Sequence, residues 1–293
     1  MSDIPQIVTR VVNDPEQVKN LRRDEIEEVL RRVKQLFDKE RALVELDGDV
    51  VFVGDTHGDF ETTTAIIERF CDADHIVFLG DYIDRDPIEW GSIYNLTLLF
   101  FFKCRFPEKI ILLKGNHECD YCIPCGFEFK TEISQKYGLP SLYPSYEEVF
   151  RVMPLMVLLK NVFATHAGIL KGADRTWLQY TGKNDVTTIK SLTWDDPDIS
   201  SIIHGDTFTE TELTHFLKGI KAKVFLRGHN YATLGYSIYE DSCITLFSSR
   251  QYQINGNGGI LVARTDGNIS HVSDLSVWDF STGEWVKYKV GKI

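Results

Sequence analysis

Positive charge is what this 293-residue sequence is short of: 32 Lys and Arg face 43 Asp and Glu, a formal net charge of −11. Nucleic-acid backbones and anionic membranes are held by clustered Lys and Arg, so the balance argues against both as partners. Long apolar runs are also missing. The longest, around Leu96 to Phe102, falls far short of the roughly 18 residues a membrane span needs. No basic segment followed by an apolar run opens the sequence, which predicts no secretory signal. Six cysteines in that setting predict a reduced, cytoplasmic protein rather than a disulfide framework. Low-complexity linkers and clear repeats are absent, which favours a single domain over 1–293. Hydrophobic residues at 43% and charged residues at 26% are ordinary for a folded domain with a large core.

The first amphipathic pattern begins at Asp24-x-x-Glu27, followed by Ile26, Val29, Leu30, Val33 and Phe37 at helical spacing, which predicts a helix over roughly 24 to 39 within an N-terminal helical segment of about 15–45. Short apolar runs then recur: Val50 to Val53, Ile76 to Leu79, Ile110 to Leu113, Val162 to Ala164 and Val224 to Leu226. Unalternated runs rich in Val, Ile and Phe suit strands covered on both faces. Segments long enough for a helix separate the first three, including the hydrophobic stretch Ile93 to Cys104 that Pro107 closes, so the fold reads as α/β with a partly parallel sheet. Past residue 240, Cys243 to Phe247, Gly259 to Ala263 and Ile269 to Val272 read as hairpin strands divided by turns such as Asn255 to Gly259.

The loops just beyond these runs carry the chemistry. The five strands deliver, in order, Gly54-Asp55-Thr56-His57-Gly58-Asp59, Gly80-Asp81-Tyr82-Ile83-Asp84-Arg85, Lys114-Gly115-Asn116-His117-Glu118, Thr165-His166-Ala167-Gly168 and Arg227-Gly228-His229-Asn230. Taken singly, each is ordinary loop punctuation. Together, on one side of one sheet, they gather Asp55, His57, Asp81, Asn116, His166 and His229 at the carboxyl ends of the strands, where open α/β sheets place their sites. Oxygen and imidazole donors without thiolate fit first-row metals, and six exceed what one catalytic ion with open positions needs. Two ions sharing a carboxylate would use them, a pair suited to clamping a phosphoryl group and activating water.

In this order, Gly-Asp-x-His-Gly, Gly-Asp-x-x-Asp-Arg, Gly-Asn-His-Glu, His-x-Gly and Arg-Gly-His resemble the phosphoprotein phosphatase family, the serine/threonine phosphatases among the calcineurin-like metallophosphoesterases. The likeness runs from about Ile26 to about residue 265 and includes Leu192 to Asp198, similar to the family's Leu-x-Trp-x-Asp-Pro stretch. The resemblance implies an α/β fold built as a β-sandwich of mixed sheets flanked by helices. Asp55 and His57 would hold one metal, Asp81 would bridge, and Asn116, His166 and His229 would hold the other, as divalent or mixed-valence ions with Mn in vitro and Fe or Zn as alternatives. A hydroxide bridging the metals would attack phosphorus in line, without a covalent phosphoenzyme. His117, kept protonated by Asp84, would protonate the leaving group, and Arg85 and Arg227 would grip the phosphoryl oxygens with Asn116. Phosphorylated proteins are the implied substrates and a monomer the default state. Diadenosine tetraphosphate hydrolysis is the alternative activity and a catalytically weak scaffold the remote one.

Departures from the family pattern shape further expectations. Asp86-Pro87 follows Arg85 in place of the usual Gly, and His166-Ala167-Gly168 replaces His-Gly-Gly. The family's Asp-Arg-Gly segment, which brings a further phosphate-binding Arg, has no Arg counterpart in Ile202 to Phe208. In Phe247-Ser248-Ser249-Arg250-Gln251-Tyr252, Arg250 is therefore expected to supply that guanidinium, and Tyr252 to sit on the rim of the site. The short intervening segments and the altered loop suggest a prokaryotic branch of the family, archaeal or other. Cys119-x2-Cys122-x2-Cys125 echoes an iron–sulfur run but lacks the fourth cysteine, so ordinary partly buried thiols are expected, with a redox pair as the alternative.

Overall fold

A computed structural model of the chain describes residues 6–119, 127–139, 141–254 and 259–293. Cys122, Cys125 and the turn at 255–258 lie outside them. Two mixed sheets face each other. One has six strands, in which Val50–Val53, His75–Phe78 and Ile110–Leu112 run parallel and Leu261–Thr265 pairs antiparallel to the first. The other has seven and carries Val162–Thr165 between Met156–Leu159 and Val224–Arg227. The reading of one shared sheet is thereby corrected, and the expected sandwich of mixed sheets flanked by helices is present. A wholly buried strand reads alike in either sheet, so the apolar runs could not reveal how they divide.

Side-chain alternation explains the layers. Val50, Phe52, Val77, Leu79, Ile111 and Leu113 point between the sheets, where they meet Val157, Leu159, Val162, Ala164, Val224 and Leu226. Their neighbours Val51, Val53, Ile76 and Phe78 face outward under helices that include Gly91–Arg105. On the far side Met156, Leu158, Phe163 and Phe225 pack against the helix Glu210–Ile220 and its surroundings.

The predicted first helix forms as Arg23–Phe37, opened one register earlier than expected because Arg22 N–H donates to Glu25 Oε2 at 2.9 Å. The polar-looking segment before it is also helical, over Gln6–Asn13 and a 3-10 turn at Pro15–Asn20, and buries Val8, Val11 and Val18. Helix Gly91–Arg105 is apolar nearly all round because it lies beneath these helices. Its buried Lys103 reaches the carbonyls of Pro107 and Ile110, at 2.7 and 2.9 Å, and the Glu40 carboxylate. Cys243–Thr245 and Leu261–Thr265 are strands, as expected, but they belong to different sheets. Ile269 to Val272 is not a strand: it plugs the core and leads into a 3-10 turn at Val272–Asp274, and the next strand is Ser276–Asp279.

Where the sheets meet, a strap ties their ends together: Ser248 N–H donates to the Asp55 carbonyl at 2.9 Å, and Gly54 N–H donates to Ser248 Oγ at 3.1 Å. This joins the first ligand loop of one sheet to the chain leaving the other.

Candidate metal centre

All six ligand candidates converge at this junction, each buried. His57 donates Nδ1–H to the Ile83 carbonyl at 2.9 Å. That fixes the tautomer and leaves Nε2 as a lone pair, 3.8 Å from Asp55 Oδ2 and 3.7 Å from Asp81 Oδ2, with no hydrogen-bond partner. His166 is set the same way, its Nδ1 3.1 Å from the Leu79 carbonyl. Its Nε2 meets Asn116 Oδ1 at 2.9 Å and Asp81 Oδ1 at 3.4 Å, and Asn116 Oδ1 also lies 2.9 Å from His229 Nδ1. Asp81 thus belongs to both groups, one oxygen toward each.

Such converging acceptors require positive charge between them. With the site holding only protons, burial lowers the charged form of His166, but Asp81 and Asp55 outweigh it and push the imidazole up to about 9. Burial likewise raises Asp55 to about 7, His166 opposing, while His57, desolvated and beside His117, drops to about 3. A buried imidazole nitrogen without a partner, a shared carboxylate and an amide oxygen in one cluster fit two first-row cations, the protons being the weaker substitute.

The backbone is bent to achieve this. His57, Asp81, Asp84, Arg85 and His229 all have positive φ, +38°, +55°, +63°, +59° and +71°, a region non-glycine residues rarely occupy. Gly228 is required beside them because a Cβ there would fall 2.1 Å from Asp55 Oδ1.

His117 stands at the edge of the ligand cluster, its donor atoms within 4.8 Å of those of His57 and Asp81. Its Nδ1 lies 2.6 Å from Asp84 Oδ2, Asp84 Oδ1 accepts Phe129 N–H at 2.9 Å, and His117 Nε2 is buried without a partner, 3.8 Å from Asp81 Oδ2. Burial works against its charge, but Asp81 and Asp84 raise it above the ordinary imidazole value. Arg85 is on the rim and hydrogen-bonds the Tyr252 hydroxyl, and the Tyr252 ring lies 5.5 Å from that of His57. The structure therefore brings Arg85 and Tyr252 together at the centre.

Two arginines behave otherwise. Arg227 is wholly buried, its Nε donating to the Ala167 carbonyl at 2.6 Å and its Nη2 to Asp196 Oδ1 at 2.8 Å, with Nη1 alone unpartnered. It serves the turn before His229 and is not the open fork expected to grip phosphate. Arg250 is also corrected: its Nε and Nη2 reach Asp59 Oδ1 at 3.0 and 2.8 Å, and it pairs with Glu61. Carboxylates at the start of helix Phe60–Arg69 hold it away from the role of a spare guanidinium.

Glu118 has a part that the sequence motif alone does not reveal. Its buried carboxylate accepts the N–H groups of Asp81, Tyr82 and Gly115 at 2.9, 2.8 and 2.9 Å, fixing two ligand loops against each other. Its place directly after Asn116-His117 was the available signal. Asn95, hidden in the apolar helix, ties Thr56 Oγ1 and the Tyr82 carbonyl at 2.9 and 2.8 Å, and nothing in the sequence pattern marked it. Among the described cysteines, Cys119, Cys104 and Cys243 are pushed up to about 12 by burial, as unreactive thiols are.

The sequence profile of the calcineurin-like phosphoesterases matches residues 48–231, which contain every ligand loop, and the chain belongs to that family. It is a metallophosphoesterase. Within the family, a Schizosaccharomyces pombe protein bearing the name serine/threonine-protein phosphatase is 30% identical over 235 residues, 75% of each chain. An Encephalitozoon cuniculi protein of the same name is 28% identical over 250 residues, 79% of this chain but 54% of its own, so the chain spans about half the length of that relative. Two solved structures share the fold. One is a protein serine/threonine phosphatase from Saccharomyces cerevisiae, with TM-score 0.81 over 98% of this chain and 99% of its own at 21% identity. The other is a cold-active protein-tyrosine phosphatase from Shewanella, with TM-score 0.57 over 86% of this chain and 84% of its own at 17% identity. No helix among the described residues is long and apolar enough to cross a membrane.

Proposed function

We propose that the protein is a serine/threonine phosphoprotein phosphatase, a cytoplasmic monomer with one catalytic domain, that hydrolyses phosphate monoesters on protein substrates. The observation carrying this reading is the His117–Asp84 pair beside the shared-carboxylate ligand cluster: a buried imidazole with its Nε2 unpartnered and its Nδ1 on a carboxylate at 2.6 Å. When bound, two first-row cations such as Mn, Fe or Zn, held by Asp55, His57 and Asp81 and by Asp81, Asn116, His166 and His229, polarise the phosphoryl group and make water nucleophilic near neutral pH.

The chain's own residues supply the rest. Arg85, oriented by the Tyr252 hydroxyl, holds phosphoryl oxygens on the His57 side, and Asn116 orients the group from the other. His117 Nε2–H protonates the departing serine or threonine oxygen, and Asp84 keeps that proton available. A positioned general acid contributes about 10²- to 10⁴-fold. Serine and threonine are favoured over tyrosine by the names of the relatives at 28% and 30% identity.

The test compares Mn²⁺-loaded protein on phosphoserine, phosphothreonine and phosphotyrosine peptides and on diadenosine tetraphosphate, with metal content measured in parallel. Turnover on the first two, abolished by chelator, is expected. Turnover confined to the dinucleotide, or to phosphotyrosine, would sink the reading.

A further inference from the structure

The loop between the short strands Asp196–Pro197 and Thr207–Phe208 returns to the metal centre at one residue, His204. Its ring lies against that of the ligand His229, centroids 4.8 Å apart and planes at 69°. A single carboxylate holds it: His204 N–H donates to Asp196 Oδ2 at 2.9 Å, and Nδ1 lies 3.2 Å from the same oxygen. Asp196 is itself buried and anchored from behind by Arg227 Nη2 at 2.8 Å. Two more bonds pin the loop. Asn230 Nδ2, next to His229, donates to the Ile202 carbonyl at 2.7 Å, and Asp206 N–H donates to Asp195 Oδ1 at 3.1 Å.

The result is an oriented imidazole on the edge of the cleft. Its side chain is 35% exposed, whereas that of Asp196 is 0% exposed and His229 is buried. With Nδ1–H committed to Asp196, Nε2 is the atom the ring offers outward. The distribution of cations gives that atom a task. Arg85 serves the His57 side, while Arg227 is buried on Asp196 and Arg250 is ion-paired with Asp59 and Glu61. A phosphoryl dianion seated at the centre has charge to be met on the His229 side also.

We propose that His204 contacts the substrate there, its Nε2 meeting a phosphoryl oxygen while Nδ1 stays on Asp196. This rests on the phosphatase reading. Asp196, His204 and His229 also place donor atoms within 4.8 Å of one another, the spacing of a cation site. Asp196 is however already neutralised by Arg227, which disfavours a metal between them.

The experiment uses Mn²⁺-loaded wild type, His204→Ala, His204→Gln and His204→Arg. Affinity for inorganic phosphate is read by calorimetry, metal per chain by elemental analysis, and KM and kcat with p-nitrophenyl phosphate. His204→Ala is expected to keep its metal and melting temperature and to bind phosphate about 10-fold or more weakly. His204→Gln should fall between, and His204→Arg should recover most of the affinity. Unchanged phosphate affinity in His204→Ala, loss of a metal equivalent, or equal weakening in His204→Arg would each overturn the proposal. Phosphate binding needs no turnover. A wild type that binds phosphate but hydrolyses no phosphopeptide would therefore refute the phosphatase reading and leave the His204 contact standing.

Discussion

Replacing Asp84 with Asn removes the charge that keeps His117 protonated while preserving the shape of the pair. The 2.6 Å contact between His117 Nδ1 and Asp84 Oδ2 is a charge-assisted hydrogen bond inside a buried site, a class worth about 1.5–3 kcal/mol. At about 1.36 kcal/mol per pH unit, its loss should lower the pKa of His117 by about 1–2 units. The direction follows from the raised folded-state value: the acid is available below that pKa and lost as pH rises through it. The basic limb of kcat against pH should therefore move down by about 1–2 units in Asp84→Asn. Leaving-group dependence separates this from general damage. A serine alkoxide needs the proton, whereas p-nitrophenolate is a far weaker base and departs without it. In His117→Asn, kcat on a phosphoserine peptide should fall about 10²- to 10⁴-fold and kcat on p-nitrophenyl phosphate much less. Stopped assays of both substrates across the pH range, at constant metal content, provide the measurement. Equal losses on the two substrates, or a basic limb that does not move, would refute the general-acid assignment.

The metal-free protein should lose stability as pH rises from about 6.5 to about 9, because the raised His166 contributes stability that is full below its ordinary value and gone above its folded one. Its melting temperature should fall over that window, and Mn²⁺ should restore it; a flat profile would contradict the charge balance described for the site. Glu118→Gln exchanges one accepting oxygen for an NH₂ among three backbone N–H groups, so metal affinity by elemental titration should drop about 10- to 100-fold with the circular dichroism unchanged. Gly228→Ala would set a Cβ 2.1 Å from Asp55 Oδ1, and the variant should retain its fold while losing metal and activity together. Full activity in that variant would show that the loop relaxes freely.

Much of the site was legible in the sequence because strands buried on both faces are written as uninterrupted apolar runs, and the residues just past their ends are the ones the sheet presents. Asp55, His57, Asp81, Asn116, His166 and His229 converge for that reason, and His117 with Asp84 follows from the same loops. Hydrophobic periodicity also placed the helix Arg23–Phe37, whereas Gln6–Asn13 was passed over although Ile7, Val8, Val11 and Val12 recur at helical spacing, because two turns are too short a pattern to stand out.

The tertiary structure decided what depends on which partner lies nearest. Partition of the five strands between two sheets is a matter of hydrogen-bond register, on which an all-apolar run is silent. The fate of the arginines is similar: Arg227 is paired with Asp196 and Arg250 with Asp59, while Arg85 stays at the rim with Tyr252. The bent backbone at His57, Asp81 and His229 and the placing of His204 against His229 likewise come from long-range packing. A shortage of positive charge that reads in the sequence as an exclusion of polyanions becomes, in the folded chain, six buried donors around a place where only added cations complete the balance.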